Sequence, residues 1–315
     1  SYARSVLSSE FTRQSGFPPP EVFHVQLRQN AAFFSVALFV EMVDTDFLRR
    51  WNYNPQGALY KAQGDPLGTY EKKTRKTENN ADLQALLNAV STLKGTALEN
   101  YVFDNFNVPG LISYMAAVAL RQDIDATDKN HYLYRDTLDS GEWTMLPWDL
   151  DLTFGPNGLN TDSIVYNQQN TNAPACASHP FIGARPYMLH ANKYNRLLEA
   201  IVNTPRTRAM LLSRIRALAD QFLATGWFTD RINTLVPLLQ KDVDADRARW
   251  GGNAHFPGTT YTLRQANDRI INEYLTPRLS YLTGDTIAGV GSANPSSQPP
   301  LALVHFAAAE INPRS

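Results

Sequence analysis

The sequence predicts an α+β fold in two lobes, a small β-rich mixed lobe of about residues 1–97 and a larger helical lobe of about 98–285. Three observations carry this. Apolar and polar residues alternate, the strand period, in several short runs of the first hundred positions. Apolar residues recur at helical spacing through most of the second half. Nothing repeats at a fixed period, which excludes a solenoid.

The first helix is expected over Val6 to Ser15 and is ended by Pro18-Pro19-Pro20. Val22 to Arg28 alternates as a half-buried strand does, and a tight link at Gln29-Asn30 leads to a second strand over Phe33 to Val40. This hairpin opens the small lobe. Thr45 to Trp51 reads as a short helix with Asp44 as its N-cap. Gly57 to Ala62 is a further strand, Gly64 to Gly68 a turn, and Tyr70 to Thr74 continues extended. Ala81 to Leu93 places Leu83, Leu86, Leu87 and Val90 at helical period, with a cap near Asn80.

The larger lobe starts about Leu98. Val108 to Leu120 is apolar throughout, with Pro109 near its start, and reads as a buried central helix. Asp123 to Asn130 is a polar loop leaving it. Tyr132 to Arg135 and Trp143 to Leu146 form a hairpin around Asp139-Ser140-Gly141. Gly155 to Ala177 is rich in Asn and Gly, a long loop able to fold over a site. Lys193 to Leu223, Phe228 to Leu239 and Leu263 to Leu282 read as helices. Residues 286–300 have a linker's Gly, Ser, Asn and Pro, and 301–315 begin a further β segment. The chain reads as a fragment of a longer protein.

Bulk properties exclude several classes. Lys plus Arg number 29 against 30 acidic residues, so a net charge of −1 offers no general attraction to nucleic acid or an anionic membrane. No apolar stretch reaches the length of a membrane span; the most apolar run, Ala31 to Val43, is too short and contains Glu41. Cys176 is the only cysteine, which excludes an internal disulfide and a cysteine-cluster zinc site. The six histidines, His24, His131, His179, His190, His255 and His305, are scattered and form no His-Glu-x-x-His pair. Each is better read as a packing or surface residue than as a ligand.

The chemistry concentrates between Asp125 and Gly155. An Asp, an Asn five residues on, a hairpin and then another Asp is the spacing of a phosphoryl-transfer site, in which one carboxylate orients the acceptor hydroxyl and hard oxygen ligands hold Mg²⁺. Asp125 is the candidate base, although Asp123 and Asp128 share its loop and any of the three could be a turn aspartate bonding backbone amides. Asn130, Asp149 and Asp151 are the candidate metal ligands. If their segment is extended, Asp149 and Asp151 face the same side. An Asp-x-Asp also occurs where a metal holds a nucleotide-sugar, but that site needs alternating strands and helices that the N-terminal half does not show.

Asn130-His131-Tyr132-Leu133-Tyr134, the turn Asp139-Ser140-Gly141-Glu142, and Leu146-Pro147-Trp148-Asp149-Leu150-Asp151-Leu152-Thr153-Phe154-Gly155 closely resemble the CotH family of atypical secreted or spore-coat protein kinases. Leu59-Tyr60-Lys61, Tyr70-Glu71-Lys72-Lys73-Thr74 and Val40-Glu41-Met42-Val43-Asp44 also look like that family, over about the first 285 residues. The resemblance implies an atypical protein-kinase-like fold and a bacterial protein that is secreted or sits on a coat or surface. It also implies ATP with Mg²⁺ or Mn²⁺ and a protein substrate phosphorylated on Ser or Thr. It points to Asp125 as the base and Lys61 as the strand lysine that neutralises the α- and β-phosphates. Glu71 is the first choice to order Lys61, Glu41 its competitor, and Lys73 a second phosphate contact. Residues 301–315 resemble the first strand of a lamin-tail-like module.

One departure stands out. No Gly-x-Gly-x-x-Gly occurs, and near Asn30 the hairpin has Ala31, Ala32 and Ser35 where glycines would let backbone approach phosphate. The competing expectation is therefore a kinase-fold binding or surface-assembly module with weak or no turnover.

Overall fold

The computed structural model describes residues 2–63, 69–126, 129–156, 163–167, 177–179, 181, 183–185, 195–251 and 261–284. The Gly64 to Gly68 turn, Asp128, most of the Gly155 to Ala177 loop, the linker and the lamin-tail-like segment lie outside them.

The chain opens with helix α1 (Arg4–Gln14) and a hairpin of β1 (Val22–Gln29) and β2 (Ala32–Val40). Asn30 and Ala31 turn the hairpin, both with positive φ (50° and 65°). Asp44 caps the short α2 (Thr45–Arg50), accepting from the Asp46 and Phe47 amides. Strands β3 (Ala58–Gln63) and β4 (Tyr70–Lys72) follow, then α3 (Ala81–Thr92). Asn80 makes no side-chain cap; the Ala81 amide bonds Asn79 Oδ1 at 3.1 Å instead. Helix α4 (Gly95–Asn105), which the sequence pattern does not announce, fully buries only Leu98 and Val102, with Tyr101 and Phe103 packed part-buried against the core. Asn107 then caps α5 (Val108–Arg121), accepting from Gly110 N at 2.9 Å. Pro109 sits in the first turn, where its missing N–H costs nothing.

Strands β5 (Lys129–Arg135) and β6 (Trp143–Pro147) form the expected hairpin, and β3 pairs with β5 to give a four-stranded antiparallel sheet of order β4-β3-β5-β6. The sheet thus takes two strands from each side of residue 98. The β1–β2 hairpin does not join it. It packs on α1 and on the long helix α8 (Trp227–Trp250), with Phe23 and Phe39 stacked and exposed.

A second small hairpin, β7 (Ala177–His179) with β8 (Gly183–Arg185), precedes the helical part. The run predicted as one helix to Leu223 is broken at Thr204-Pro205 into α6 (Arg196–Asn203) and α7 (Pro205–Leu218), because proline cannot donate to the preceding turn. A π-helical turn, Ala219–Leu223, completes α7. Helix α8 (Trp227–Trp250) runs past Leu239 despite Pro237, since its last two turns hold the β1–β2 hairpin. There Gln26 bonds Asp242 at 2.9 Å, the Val36 amide bonds Asp246 at 2.9 Å, and Trp250 donates to Phe34 O at 2.9 Å. Helices α9 (Leu263–Arg269) and α10 (Thr276–Leu282) are joined by a π-helical turn, so Leu263 to Leu282 is one continuous helical rod. The fold is α+β, and α5 is its axis, buried along nearly its whole length against α1, β6 and α7. Among the described residues no helix is long and apolar enough to cross a membrane.

Candidate active site

The site grows from the C-terminal end of α5. The last carbonyls of a helix have no partner within it, and here each finds one elsewhere. Leu120 O accepts from Tyr274 Oη at 2.7 Å, Ala119 O from buried Arg278 Nε at 3.2 Å, and Val118 O from the Asp123 amide at 3.2 Å. Arg121 O accepts from the Phe154 amide at 2.6 Å. Two further backbone bonds, Ile124 N to Leu152 O at 3.3 Å and Trp148 N to Asn130 O at 3.1 Å, fasten the segment after α5 to the turn after β6. The two acidic stretches, 26 positions apart in the chain, are thereby held side by side.

Asp125 lies on this fastened segment, only 3% exposed, so the expected polar loop begins as a buried turn. Asn130 Nδ2 donates to Asp125 Oδ2 at 3.0 Å, and Lys129 Nζ stands 3.8 Å from the same oxygen. Asn130 is itself buried and belongs to the start of β5 rather than to the loop. Asp123, the neighbouring alternative, is also buried but turned to other work. Its Oδ2 accepts from Arg121 Nε at 3.3 Å and Nη2 at 3.1 Å, in an ion pair shut away from solvent, and Arg121 Nη1 reaches Thr12 on α1 at 2.6 Å. Burial pushes the Asp123 carboxyl up to about 6 against the pull of Arg121, with Asp151 and Asp149 adding to the rise. His131 is a packing residue. It bonds Tyr70 Oη at 3.1 Å and the Lys129 carbonyl at 3.1 Å, and burial lowers it to about 4, so it is neutral.

The segment carrying Asp149 and Asp151 is not extended. It is a turn beyond β6, and Asp149 takes a left-handed φ of 55°. Both carboxylates are nevertheless on the surface, with Leu150 buried between them. Burial and then the charge of Asp149 raise the Asp151 carboxyl, while Arg4 draws it down. Four non-glycine residues around the site adopt positive φ, Gln122 (51°), Asn130 (61°), Asp149 (55°) and Phe154 (59°). Such conformations cost of order 1–3 kcal/mol each and gather where surrounding structure fixes a functional geometry.

Lys61 is on β3, with Nζ 5.1 Å from the Trp148 ring and 6.0 Å from the Tyr132 ring. Trp148, one residue before Asp149, thus links the strand lysine to the acidic turn. Glu71 stands opposite Lys61 in the β3–β4 register but pairs with Lys73 at 2.9 Å and accepts from Gln63 at 2.8 Å. Lys73 holds the Glu71 carboxyl below its ordinary value, with Lys76 and Lys61 adding smaller pulls. Glu41, the competitor, is taken by Arg50 Nε at 2.9 Å and the Glu21 amide at 2.9 Å. The fold therefore joins Asp125 to Asn130 by their side chains and holds the turn carrying Asp149 and Asp151 beside them by backbone bonds. Lys61 lies over Trp148, and Glu71 and Lys73 are joined to each other. Sequence reasoning passed over Lys129 and Trp148, whose only signal was adjacency to Asn130 and Asp149.

A family model described as CotH kinase protein matches residues 1–282. The chain belongs to the CotH family. It is also 25% identical over 173 residues to the inner spore coat protein H of Bacillus subtilis (strain 168), an alignment covering 49% of this chain and 47% of that protein. The chain spans about half the length of that relative.

Proposed function

We propose that this CotH-family chain is an ATP- and metal-dependent protein kinase that phosphorylates Ser or Thr of a coat or surface protein. One observation carries the reading. Asn130 fixes Asp125 through its side chain and the turn of Asp149 through its backbone, which joins a candidate base to candidate metal ligands in one rigid unit. Coat or surface placement, in a bacterium, is suggested by the name of the Bacillus relative.

The donor set suits a hard cation. Asn130 uses Nδ2 on Asp125, which leaves Oδ1 to face a metal, and Asp149 and Asp151 add carboxylates. Among the described residues no group of three or more His, Cys, Asp or Glu could hold a metal alone. Mg²⁺ or Mn²⁺ would therefore arrive with the triphosphate and keep water ligands, as Mg²⁺ usually does. When bound, it would neutralise charge on the phosphates. In the transfer, the acceptor oxygen bonds to the γ-phosphorus as the bridging bond to ADP breaks, and the hydroxyl proton passes to Asp125. Lys61 would leave the Trp148 face for the α- and β-phosphates, with Lys73 as a second contact. The protein's contribution is positioning and charge.

A binding or assembly module is favoured by one feature: the β1–β2 hairpin lacks glycines and packs on α8 instead of covering the sheet. Incubation with γ-labelled ATP and Mg²⁺ or Mn²⁺ separates the two. Label on the chain or on an added protein acceptor supports the kinase, and nucleotide-independent behaviour with no transfer supports the module.

A further inference from the structure

We propose that Lys129 contacts the phosphoryl group being transferred, as a further phosphate-binding lysine on the acceptor side of the site. The proposal rests on the kinase reading above and assigns a residue that reading does not use.

Lys129 Nζ lies 3.8 Å from Asp125 Oδ2, and its side chain is 43% exposed while that of Asp125 is 5% exposed. Its ammonium makes no other ion pair or hydrogen bond among the described residues. The contact is longer than a hydrogen bond and open to solvent, so it holds the lysine weakly. Asp125 does not need it for position, because Asn130 grips the same oxygen at 3.0 Å. The backbone beneath Lys129 is by contrast well fixed. Its amide bonds Asp125 O at 3.4 Å, and the residue sits opposite Gln63 in the β3–β5 register. A loosely engaged cation on a firm base, beside the candidate base, is placed for something not present in the free chain.

Reaction geometry says what that is. The acceptor hydroxyl must reach Asp125, and the phosphorus it attacks is about 3–3.5 Å from that hydroxyl oxygen. The non-bridging oxygens of the moving phosphoryl then fall within the reach of a lysine already 3.8 Å from Asp125. Lys61 is elsewhere, on β3 over the Trp148 ring. The lysines divide the triphosphate, Lys61 and Lys73 toward its α- and β-phosphates and Lys129 at the γ-phosphoryl. Lys129 stays protonated throughout; the hydroxyl proton still goes to Asp125 and the electron pair of the broken P–O bond to ADP.

The test is calorimetric titration of the full chain with ADP·Mg²⁺ and with the non-hydrolysable triphosphate AMP-PNP·Mg²⁺, for wild type, Lys129→Met and Lys129→Arg. A charge-assisted contact to the γ-phosphoryl predicts that Lys129→Met weakens AMP-PNP by about ten- to a hundredfold. ADP affinity should stay within about twofold, and Lys129→Arg should recover part of the loss. Met and Arg variants indistinguishable from wild type with both ligands would overturn the assignment and leave the kinase reading intact. So would equal losses for ADP and AMP-PNP, the mark of a general structural effect. Wild type binding neither nucleotide would overturn the kinase reading, and this assignment with it.

Discussion

Asp125 and Asp123 are two positions apart, equally buried, and held by different partners, which gives them different expected behaviour. Asp125→Asn keeps shape and the bond with Asn130 but removes the charge that orients a hydroxyl. Phosphoryl transfer should fall about 10²–10⁴-fold while ATP·Mg²⁺ affinity changes little, checked by initial rates beside a binding titration. Asp149→Ala should act the other way. It removes one of several mutually repelling carboxylates, so melting in metal-free buffer should stay unchanged or rise while metal-dependent nucleotide binding is lost. Asp123 predicts a pH effect. Its carboxyl is raised from 3.8 to about 6, so the stability it contributes is present below pH 3.8 and lost as pH rises toward 6. His131 is lowered from 6.5 to about 4, so its contribution is present above pH 6.5 and lost as pH falls toward 4. Each is worth about 3 kcal/mol at about 1.4 kcal/mol per tenfold, and the two oppose each other across the same window. Asp123→Asn removes the titrating carboxyl and leaves the His131 contribution unopposed. The variant's melting temperature should climb more steeply than that of wild type between pH 4 and 6.5, as read in scans across that range.

Among the elements, the turn after β6 bears a tight requirement. Gly155 closes it at a φ of 82°, and a Cβ there would lie 2.8 Å from Val165 O and 2.7 Å from Ile164 Cγ2. Gly155→Ala should therefore cost about 2–4 kcal/mol, left-handed strain plus overpacking. Gly141, in the β5–β6 turn at a φ of 75°, has open space around its Cβ position, so Gly141→Ala should cost only about 1–2 kcal/mol. Denaturant unfolding of the two variants makes the comparison. The elements themselves were largely legible: α5 from its unbroken apolar run, the β5–β6 hairpin from Asp139-Ser140-Gly141, and α2 from Asp44. What escaped depended on tertiary partners. The sequence period of Trp148 to Leu152 suits a strand, yet bonds to Asn130, Arg121 and Ile124 fold it into a turn with Asp149 left-handed. Helix α8 outran its apolar pattern because Asp242, Asp246 and Trp250 serve the distant hairpin. The candidate site residues were legible by type and spacing; the burial of Asp125 and the alliance of Glu71 with Lys73 were not.

At the scale of the molecule, the four-stranded sheet and the β1–β2 hairpin meet the helical body at different helices. The four-stranded sheet meets it through α5, and the β1–β2 hairpin through α8. Asp246 ties the hairpin to α8, accepting from the Val36 amide at 2.9 Å, and also accepts from Tyr2 Oη, ahead of α1, at 2.7 Å. Asp246→Ala should raise hydrogen exchange across Val22–Val40 while protection of β3, β5 and β6 stays unchanged. Equal loosening of both would show that they form one cooperative unit. The central claim is that segments on either side of the β5–β6 hairpin, carrying Asp125 with Asn130 and Asp149 with Asp151, form one site for a triphosphate and its metal. Calorimetric titration of ATP into wild type and Asp149→Ala, each with and without Mg²⁺, tests it most directly. Wild type should bind only in the presence of Mg²⁺, and Asp149→Ala should not bind in either condition. Metal-independent binding by wild type, or undiminished Mg²⁺-dependent binding by Asp149→Ala, would contradict it.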